Sequence, residues 1–291
     1  MPRDREALGA FLRSRRDRLT PAQAGVQAFP GPRRVPGLRR EELSLLAGVS
    51  PDYYSRLEQG RQANVSLEVL DALSRALRLD AVESAHLRDL AAPAPRRRSV
   101  PDRGQRPDPG LLRLVANLDH RPVLLLGRRG EVLARNALLR SVLGRPMEPG
   151  SSLVRYLFFD PTARERIVNW ADFAATTVAS LRREAARRPH DATLRALIDE
   201  LRAGDEDAAR WWDDQTVRDY TSVAKQIQHP TAGPLSFDIE IVVPPHDPDQ
   251  HLIVYTTPTD SPTARVLGLL ASWDADVPVP LRHGGPPETR K

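Results

Sequence analysis

The side chains that could carry catalysis or hold a metal are few and poorly arranged for either. His246 and His251 stand five positions apart in a segment with loop composition, and this spacing matches no familiar metal-site pattern. Ser151 and Ser152 lack the glycines of a nucleophile elbow. The chain contains no glycine-rich phosphate loop and no cysteine, which excludes thiolate metal sites and cysteine nucleophiles. We therefore expect no enzymatic activity, no metal and no cofactor.

Basic charge is concentrated in the first third of the chain. Residues 1–98 contain 18 arginines and 12 acidic residues, a net charge of +6, whereas residues 99–291 contain 25 basic and 26 acidic residues, a net charge of −1. Such an asymmetry is typical of a polyanion-binding module joined to a domain with another task. Chance in an arginine-rich chain is the alternative interpretation.

A proline-rich and charged segment separates two regions of different character. Residues 93–108 show no apolar periodicity and predict a semi-rigid linker. Its run Arg96–Arg98 either contacts DNA phosphates or forms a solvated hinge. The N-terminus is charged, and no apolar run is long enough to span a bilayer, so we expect a cytoplasmic protein without a membrane partner. The last residues, 276–291, predict a flexible tail.

Residues 1–92 predict an all-helical domain of five helices, because their apolar residues recur at helical spacing. Between the second and third helices, Gly48 can adopt the positive φ that ends a helix in a tight turn. Ser50 is a good N-cap, and Pro51 suits the first position of the next helix. Gly60 would end that short helix. Two short helices joined in this way form a helix-turn-helix, whose second helix enters the DNA major groove.

Residues 6–91 resemble the lambda-repressor-like (XRE) helix-turn-helix family. The resemblance rests on Leu46–Ser50, Arg56–Gly60 and Leu70–Leu77. It implies a DNA-binding surface that includes Arg39, Arg40, Ser50, Pro51, Asp52, Tyr53, Arg56 and Arg61, with Arg39, Arg40 and Arg61 as phosphate contacts. The connection from the first to the second helix is longer than in the short form of this family. Its Arg33 and Arg34 either contact the DNA backbone or minor groove or belong to a flexible, solvated loop.

The same resemblance assigns roles on the second helix of the motif. Arg56 is the candidate for reading a guanine, and Tyr53 for contacting a thymine methyl group or a phosphate. Asp52 either accepts from cytosine or favours the helix N-terminus through the dipole. Tyr54 and Leu57 would face the core. Glu58 is predicted to pair with an arginine inside the domain.

Residues 109–275 predict a second domain of mixed character. Residues 122–126 and 131–135 flank a glycine-bounded turn and predict a hairpin. Residues 136–215 predict helices, and 235–243 alternate as a half-buried strand. Residues 251–257 predict a partner strand, 221–228 a further strand, and 261–273 a closing helix. This order predicts an α+β domain in which helices cover an antiparallel sheet.

The second domain resembles that of MmyB-like regulators. The resemblance rests on Ala134–Asn136, Phe158–Pro161, Asn169-Trp170, His229–Gly233 and Val254–Thr256. It implies a PAS-like fold with a pocket for a small apolar ligand such as a fatty acid, and a homodimeric regulator bound to double-stranded operator DNA. The candidate pocket residues are large or polar: Trp170, Phe173, Tyr220, His229, Phe237 and Tyr255. His229 would either orient a carboxylate or its water, or only end a strand before Pro230. Aromatic residues at these spacings are also typical of plain core. In that case the domain would serve only dimerisation or interaction.

Overall fold

The first part of the chain folds as a helical domain. The computed structural model describes residues 2–26, 35–62, 64–92, 104–217 and 224–275. The N-terminal helices are α1 (Pro2–Arg18), α2 (Pro21–Ala24), α3 (Arg40–Ala47), α4 (Pro51–Glu58), α5 (Leu67–Ala76) and α6 (Ala81–Ala91). Five of them were predicted from the sequence. The single turn α2 was not; Thr20 caps it and Gly25 ends it at φ +75°.

Apolar side chains from all the longer N-terminal helices meet in one core. Phe11 of α1, Tyr54 of α4, Leu73 of α5 and Leu87 of α6 are fully buried. Helix α1 crosses α4 very closely at Gly9, where an added Cβ would lie 2.2 Å from a backbone carbonyl oxygen of α4. Only glycine allows this approach, so α4 is fixed directly against the longest helix of the domain.

The second part of the chain is α+β, as predicted. Its elements are α7 (Pro109–Asn117), β1 (Val123–Leu126), β2 (Val132–Arg135), α8 (Ala137–Leu143), α9 (Leu153–Phe159), α10 (Pro161–Arg166), α11 (Trp170–Arg187), α12 (Ala192–Gly204), α13 (Glu206–Asp213), β3 (Lys225–His229), β4 (Gly233–Val242), β5 (His251–Thr256) and α14 (Pro262–Ala275). Residues 93–103 of the predicted linker, with Arg96–Arg98, lie outside the described residues, as does the predicted tail.

The five strands form one antiparallel sheet in the order β2-β1-β5-β4-β3. The predicted hairpins β1–β2 and β4–β5 are both present. Alternate residues of each strand face opposite sides. Leu124 and Leu126 of β1 therefore join the main helical core, while Val123 and Leu125 pack under α7. The sheet thus has helices on both faces, and the main core lies between the sheet and α8–α14.

The two domains are in contact through α11 and the segment that follows α13. The Arg187 side chain of α11 pairs with Asp89 of α6 at 3.1 Å. The Arg15 guanidinium of α1 donates to the Gln215 carbonyl at 2.7 Å, and Val217 is buried in the N-terminal core. In the described part of the chain, no helix is both long and apolar enough to cross a membrane.

Candidate DNA-binding surface and ligand cavity

The turn between α3 and α4 has the geometry that its sequence predicts. Gly48 ends α3 in the left-handed region at φ +66°, which L-residues adopt only with strain. The Ser50 hydroxyl then accepts a hydrogen bond from the Tyr53 backbone N–H at 3.1 Å, and Pro51 occupies the first turn of α4. Gly60 follows α4 at φ +66°. The two helices are therefore held as a helix-turn-helix by local capping.

Helix α4 has one buried and one open face. Tyr54 and Leu57 are buried in the core, as predicted. Asp52 and Arg56 are exposed on the opposite side, and Tyr53 is half-buried beside them. The Arg56 guanidinium lies 3.2 Å from the Asp52 carboxylate one turn away. This exposed pair is weak, so Arg56 can leave it for a base edge at little cost.

A buried carboxylate joins three helices behind this open face. The Glu58 side chain is fully buried and accepts from the Arg16 Nε at 2.6 Å and from the Arg40 Nε at 2.7 Å. Burial alone would raise the pKa of Glu58, but the hydrogen bonds from Arg16 and Arg40 hold that pKa below its usual value. The prediction of an internal arginine partner for Glu58 is confirmed. Arg40, expected to contact phosphate, thus also has a structural role.

The remaining arginines of the expected surface differ in their surroundings. Arg61 is exposed just after α4, and Arg39 precedes α3, where its backbone N–H donates to Glu42 at 2.7 Å. Arg33 and Arg34 lie outside the described residues. Arg39, Arg40, Arg56 and Arg61 therefore all lie on or beside the helix-turn-helix, as a DNA-binding surface requires.

The second domain contains an apolar cavity of about 80 Å³ between the sheet and the helices α9 and α11. Its walls are mostly aliphatic and aromatic; they include Leu126, Leu153, Val154, Leu157, Phe173, Thr177, Leu181, Lys225, Ile239, Ile241, His251, Ile253 and Tyr255. At one end Lys225 and Tyr255 are buried, whereas at the other end His251, Ile241 and Arg128 are half-buried. His251 and Tyr255 are four positions apart on β5, a length of about 13 Å. The cavity is therefore a blind slot along the sheet.

A lysine occupies the closed end of this slot. The Lys225 Nζ donates to the Tyr255 hydroxyl at 3.1 Å and lies 4.9 Å from the centre of the Phe173 ring. Burial lowers the pKa of Lys225 to about 7. Among the described residues, no carboxylate lies within ion-pairing distance of Nζ. Sequence reasoning missed this residue, although Lys225 is one of only two lysines in an arginine-rich chain.

Two of the six predicted pocket residues, Phe173 and Tyr255, line the cavity. Trp170 and Phe237 do not line it and are buried in the main core. The Trp170 Nε1 donates to the Leu157 carbonyl at 2.7 Å, and its ring packs on other aromatic rings. Phe237 is buried and packs edge-to-face against Tyr255, with the two ring centres 5.5 Å apart. Tyr220, the sixth, lies outside the described residues.

His229 does not line the cavity and is engaged in local contacts instead. Its Nδ1 accepts from the Ala232 backbone N–H at 3.0 Å in the turn between β3 and β4, and its Nε2 lies 3.1 Å from the Ser141 carbonyl. Both ring nitrogens are thus engaged away from the cavity. Because His229 stands at the end of β3, its ring lies in this turn, and a role for it in orienting a ligand stays a prediction.

The histidines with weak metal spacing are also separated. The His246 Nε2 lies 3.0 Å from the Asp108 carboxylate, which caps α7, whereas His251 is at the open end of the cavity. Within the described ranges, no group of three potential metal ligands comes together.

A helix-turn-helix joined to a second domain with an apolar slot is the organisation of a DNA-binding transcription regulator. Residues 7–87 match the family model of a helix-turn-helix domain. Residues 107–270, more than half of the chain, match the model of the MmyB-like transcription regulator ligand binding domain. The chain therefore belongs to the MmyB-like transcription regulators, as the resemblance predicted. A comparison with curated proteins finds no match.

Proposed function

We propose that this regulator binds a small apolar, fatty-acid-like ligand in its C-terminal domain and that the ligand changes its affinity for a specific operator. The observation that carries this proposal is the blind apolar slot between α11 and the sheet. We assign DNA binding to residues 1–92 and ligand binding to 109–275, a domain that we regard as PAS-like. The protein would act as a cytoplasmic homodimer without enzymatic activity.

The size of the slot supports a change of shape on binding. Pockets that hold whole small ligands usually have volumes of about 300–1,000 Å³, whereas this cavity measures about 80 Å³. A ligand with an alkyl chain must therefore push the walls apart. The slot separates the α11 wall, with Phe173, Thr177 and Leu181, from the sheet. Backbone hydrogen bonds join the strands of the sheet to one another, so the helix rather than the sheet would move.

Movement of α11 would reach the DNA-binding domain directly. One face of α11 lines the slot, and the same helix carries Arg182 and Arg187 towards the N-terminal domain. The Arg182 Nη1 donates to the Gln215 side chain at 2.7 Å, next to the Gln215 carbonyl held by Arg15. Arg187 pairs with Asp89. A ligand can regulate only if it binds two arrangements of the protein with different affinity. We propose that the two arrangements differ in the contacts of this interface.

On DNA, we propose that the α4 helices of a dimer enter successive major grooves about 34 Å apart on a two-fold operator. Asp52, Tyr53 and Arg56 would face the bases from the open side of α4. Arg39, Arg40 and Arg61 would contact phosphates, which set affinity and salt dependence rather than sequence.

Native mass spectrometry of the full-length protein tests the ligand part. A co-purified mass of lipid size, followed by a changed operator affinity when tetradecanoate is added, is the expected result. A clean mass, with no change of melting temperature or operator affinity across saturated fatty acids of different lengths, would favour a domain that serves only dimerisation or interaction. Operator selection from random DNA, followed by analysis of the complex mass, tests specificity and the dimer separately.

A further inference from the structure

The closed end of the slot is chemically unlike its walls. Lys225 and Lys291 are the only lysines among 43 basic residues, and Lys225 is buried with 3 % of its surface exposed. An ammonium group has three donors, and at Lys225 one of them is used by the Tyr255 hydroxyl. A compact cation on an apolar stem thus lies where a hydrophobic side chain would be far less costly to bury.

The Tyr255 hydroxyl adds a second donor at the same place. It accepts the hydrogen bond from Lys225, which leaves its own proton available, and the side chain is 2 % exposed. Both polar groups line the cavity. Phe173 lies over the Nζ from the side of α11. Two donors therefore converge at the end of a slot whose other walls are apolar.

We propose that Lys225 and Tyr255 bind the carboxylate head of an amphiphilic ligand, which enters head first and lays its apolar tail along Ile241 and Ile253 towards His251. The proposal rests on the proposed function and adds the charge and orientation of the ligand. A carboxylate repays the desolvation of the ammonium through a charge-assisted hydrogen bond. A neutral head of the same shape cannot, so the slot would select anionic amphiphiles over alcohols.

The charge of Lys225 links binding to pH. Burial lowers the pKa of Lys225 to about 7, and no described charged group on β4, α8, α10 or α11 contributes to this shift. A titratable neighbour is the Tyr255 hydroxyl, whose pKa burial raises. A bound carboxylate favours the ammonium form and returns the pKa of Lys225 towards its ordinary value of about 10.4. Affinity for the anion should therefore fall as pH rises above 7, by up to about tenfold per pH unit.

Titration calorimetry of the full-length protein with tetradecanoate and with tetradecanol tests the head site. Lys225→Met preserves the length and apolar stem while removing the charge, and Tyr255→Phe removes only the hydroxyl. Tetradecanoate should bind Lys225→Met at least about tenfold more weakly than wild type, while tetradecanol binds it as well or better. Tyr255→Phe should lower the affinity for tetradecanoate several-fold and leave the affinity for tetradecanol unchanged. Gln226→Met, at an exposed neighbour on the same strand, should match wild type.

A second readout follows the lysine itself. Labelling with ¹³Cε-lysine gives two side-chain signals, from Lys225 and Lys291, and Lys225→Met assigns them. The Lys225 signal should titrate near pH 7 in the free protein and well above it with tetradecanoate.

The outcomes separate the two levels of the proposal. If wild type and Lys225→Met bind tetradecanoate equally well, and the Lys225 signal does not respond, the head site is wrong while an apolar ligand pocket remains. If tetradecanol binds wild type but tetradecanoate does not, the proposal of an anionic head is wrong and the pocket takes a neutral ligand. If neither binds, the fatty-acid-like ligand and the head site both fail.

Discussion

Replacing Glu58 with glutamine should unfold the DNA-binding domain far more easily. The change keeps the shape of the side chain but removes the carboxylate that accepts from the Nε of Arg16, a residue that is 4 % exposed. The Asp17 carboxylate, 2.9 Å from the Arg16 Nη1, is then the remaining counter-charge. Loss of one partner of a buried ion pair costs about 3–5 kcal/mol. Small domains have a free energy of unfolding of about 5–15 kcal/mol, so about a fifth or more of the stability of this domain depends on one carboxylate.

The chain allows the two domains to be followed separately. All four tryptophans lie at positions 170, 211, 212 and 273, so their fluorescence reports on the C-terminal domain, whereas circular dichroism at 222 nm reports on helices in both. Glu58→Gln should lower the urea concentration at which the DNA-binding domain loses its circular dichroism at 222 nm. The urea midpoint of the tryptophan fluorescence should change much less. Operator affinity should fall in parallel, because Glu58 ties α4 to α1 and α3.

Two further variants decide whether the reasoning holds. Glu41→Gln removes an exposed carboxylate from the same region and should behave like wild type. The double variant Arg16→Met, Glu58→Leu removes the buried pair together and should recover most of the lost stability, since apolar replacements of buried pairs are often neutral. If Glu58→Gln lowered the free energy of unfolding by less than about 1 kcal/mol, the buried network would not hold α4 in place, and our account of the domain would be refuted.

Three other changes have defined outcomes. Arg56→Ala should cost about 1–3 kcal/mol at the selected operator and relax its sequence preference, whereas Arg61→Ala should weaken all DNA alike and reduce the salt dependence, as measured by fluorescence anisotropy. Gly48→Ala, at φ +66°, should lower the free energy of unfolding in urea by about 1–2 kcal/mol, while Gly268→Ala in open space on α14 should not destabilise. Burial lowers the pKa of His86 to about 3 from 6.5. Between these two pH values His86 is therefore protonated in the unfolded chain and neutral in the folded chain. Stability should fall by about 2 kcal/mol between pH 6.5 and 5, and His86→Phe should show a shallower fall.

The DNA-binding half was predictable because its signals are local. Gly48 and Ser50 act through their own backbone geometry, and the spacing of Tyr54 and Leu57 sets which face of α4 is buried. Such features depend on a few neighbouring residues. The hairpin strands and the closing helix were likewise visible as periodicity. The ion pair between Arg40 and Glu58 was predicted only in part, since the sequence indicated an arginine partner for Glu58 without identifying it.

The cavity was less predictable because it depends on how distant elements pack. Trp170 and Phe173 are one turn apart on α11, and the periodicity of the helix does not separate them. The aromatic neighbours Phe158 and Trp211 close the space around Trp170, while Phe173 meets an open slot. Lysine is rare in this chain, and this rarity was the one compositional signal for Lys225. Only the structure shows that Lys225 is buried on β3 and lines the cavity.

Helix α11 is both a wall of the slot and part of the contact with the DNA-binding domain. If the proposed ligand changes operator affinity by some factor, the operator changes ligand affinity by the same factor. Operator DNA would then be an effector of ligand binding. Protein held on its operator and protein free in solution would respond to different concentrations of the same molecule, so the threshold of the response would depend on how many operators are occupied.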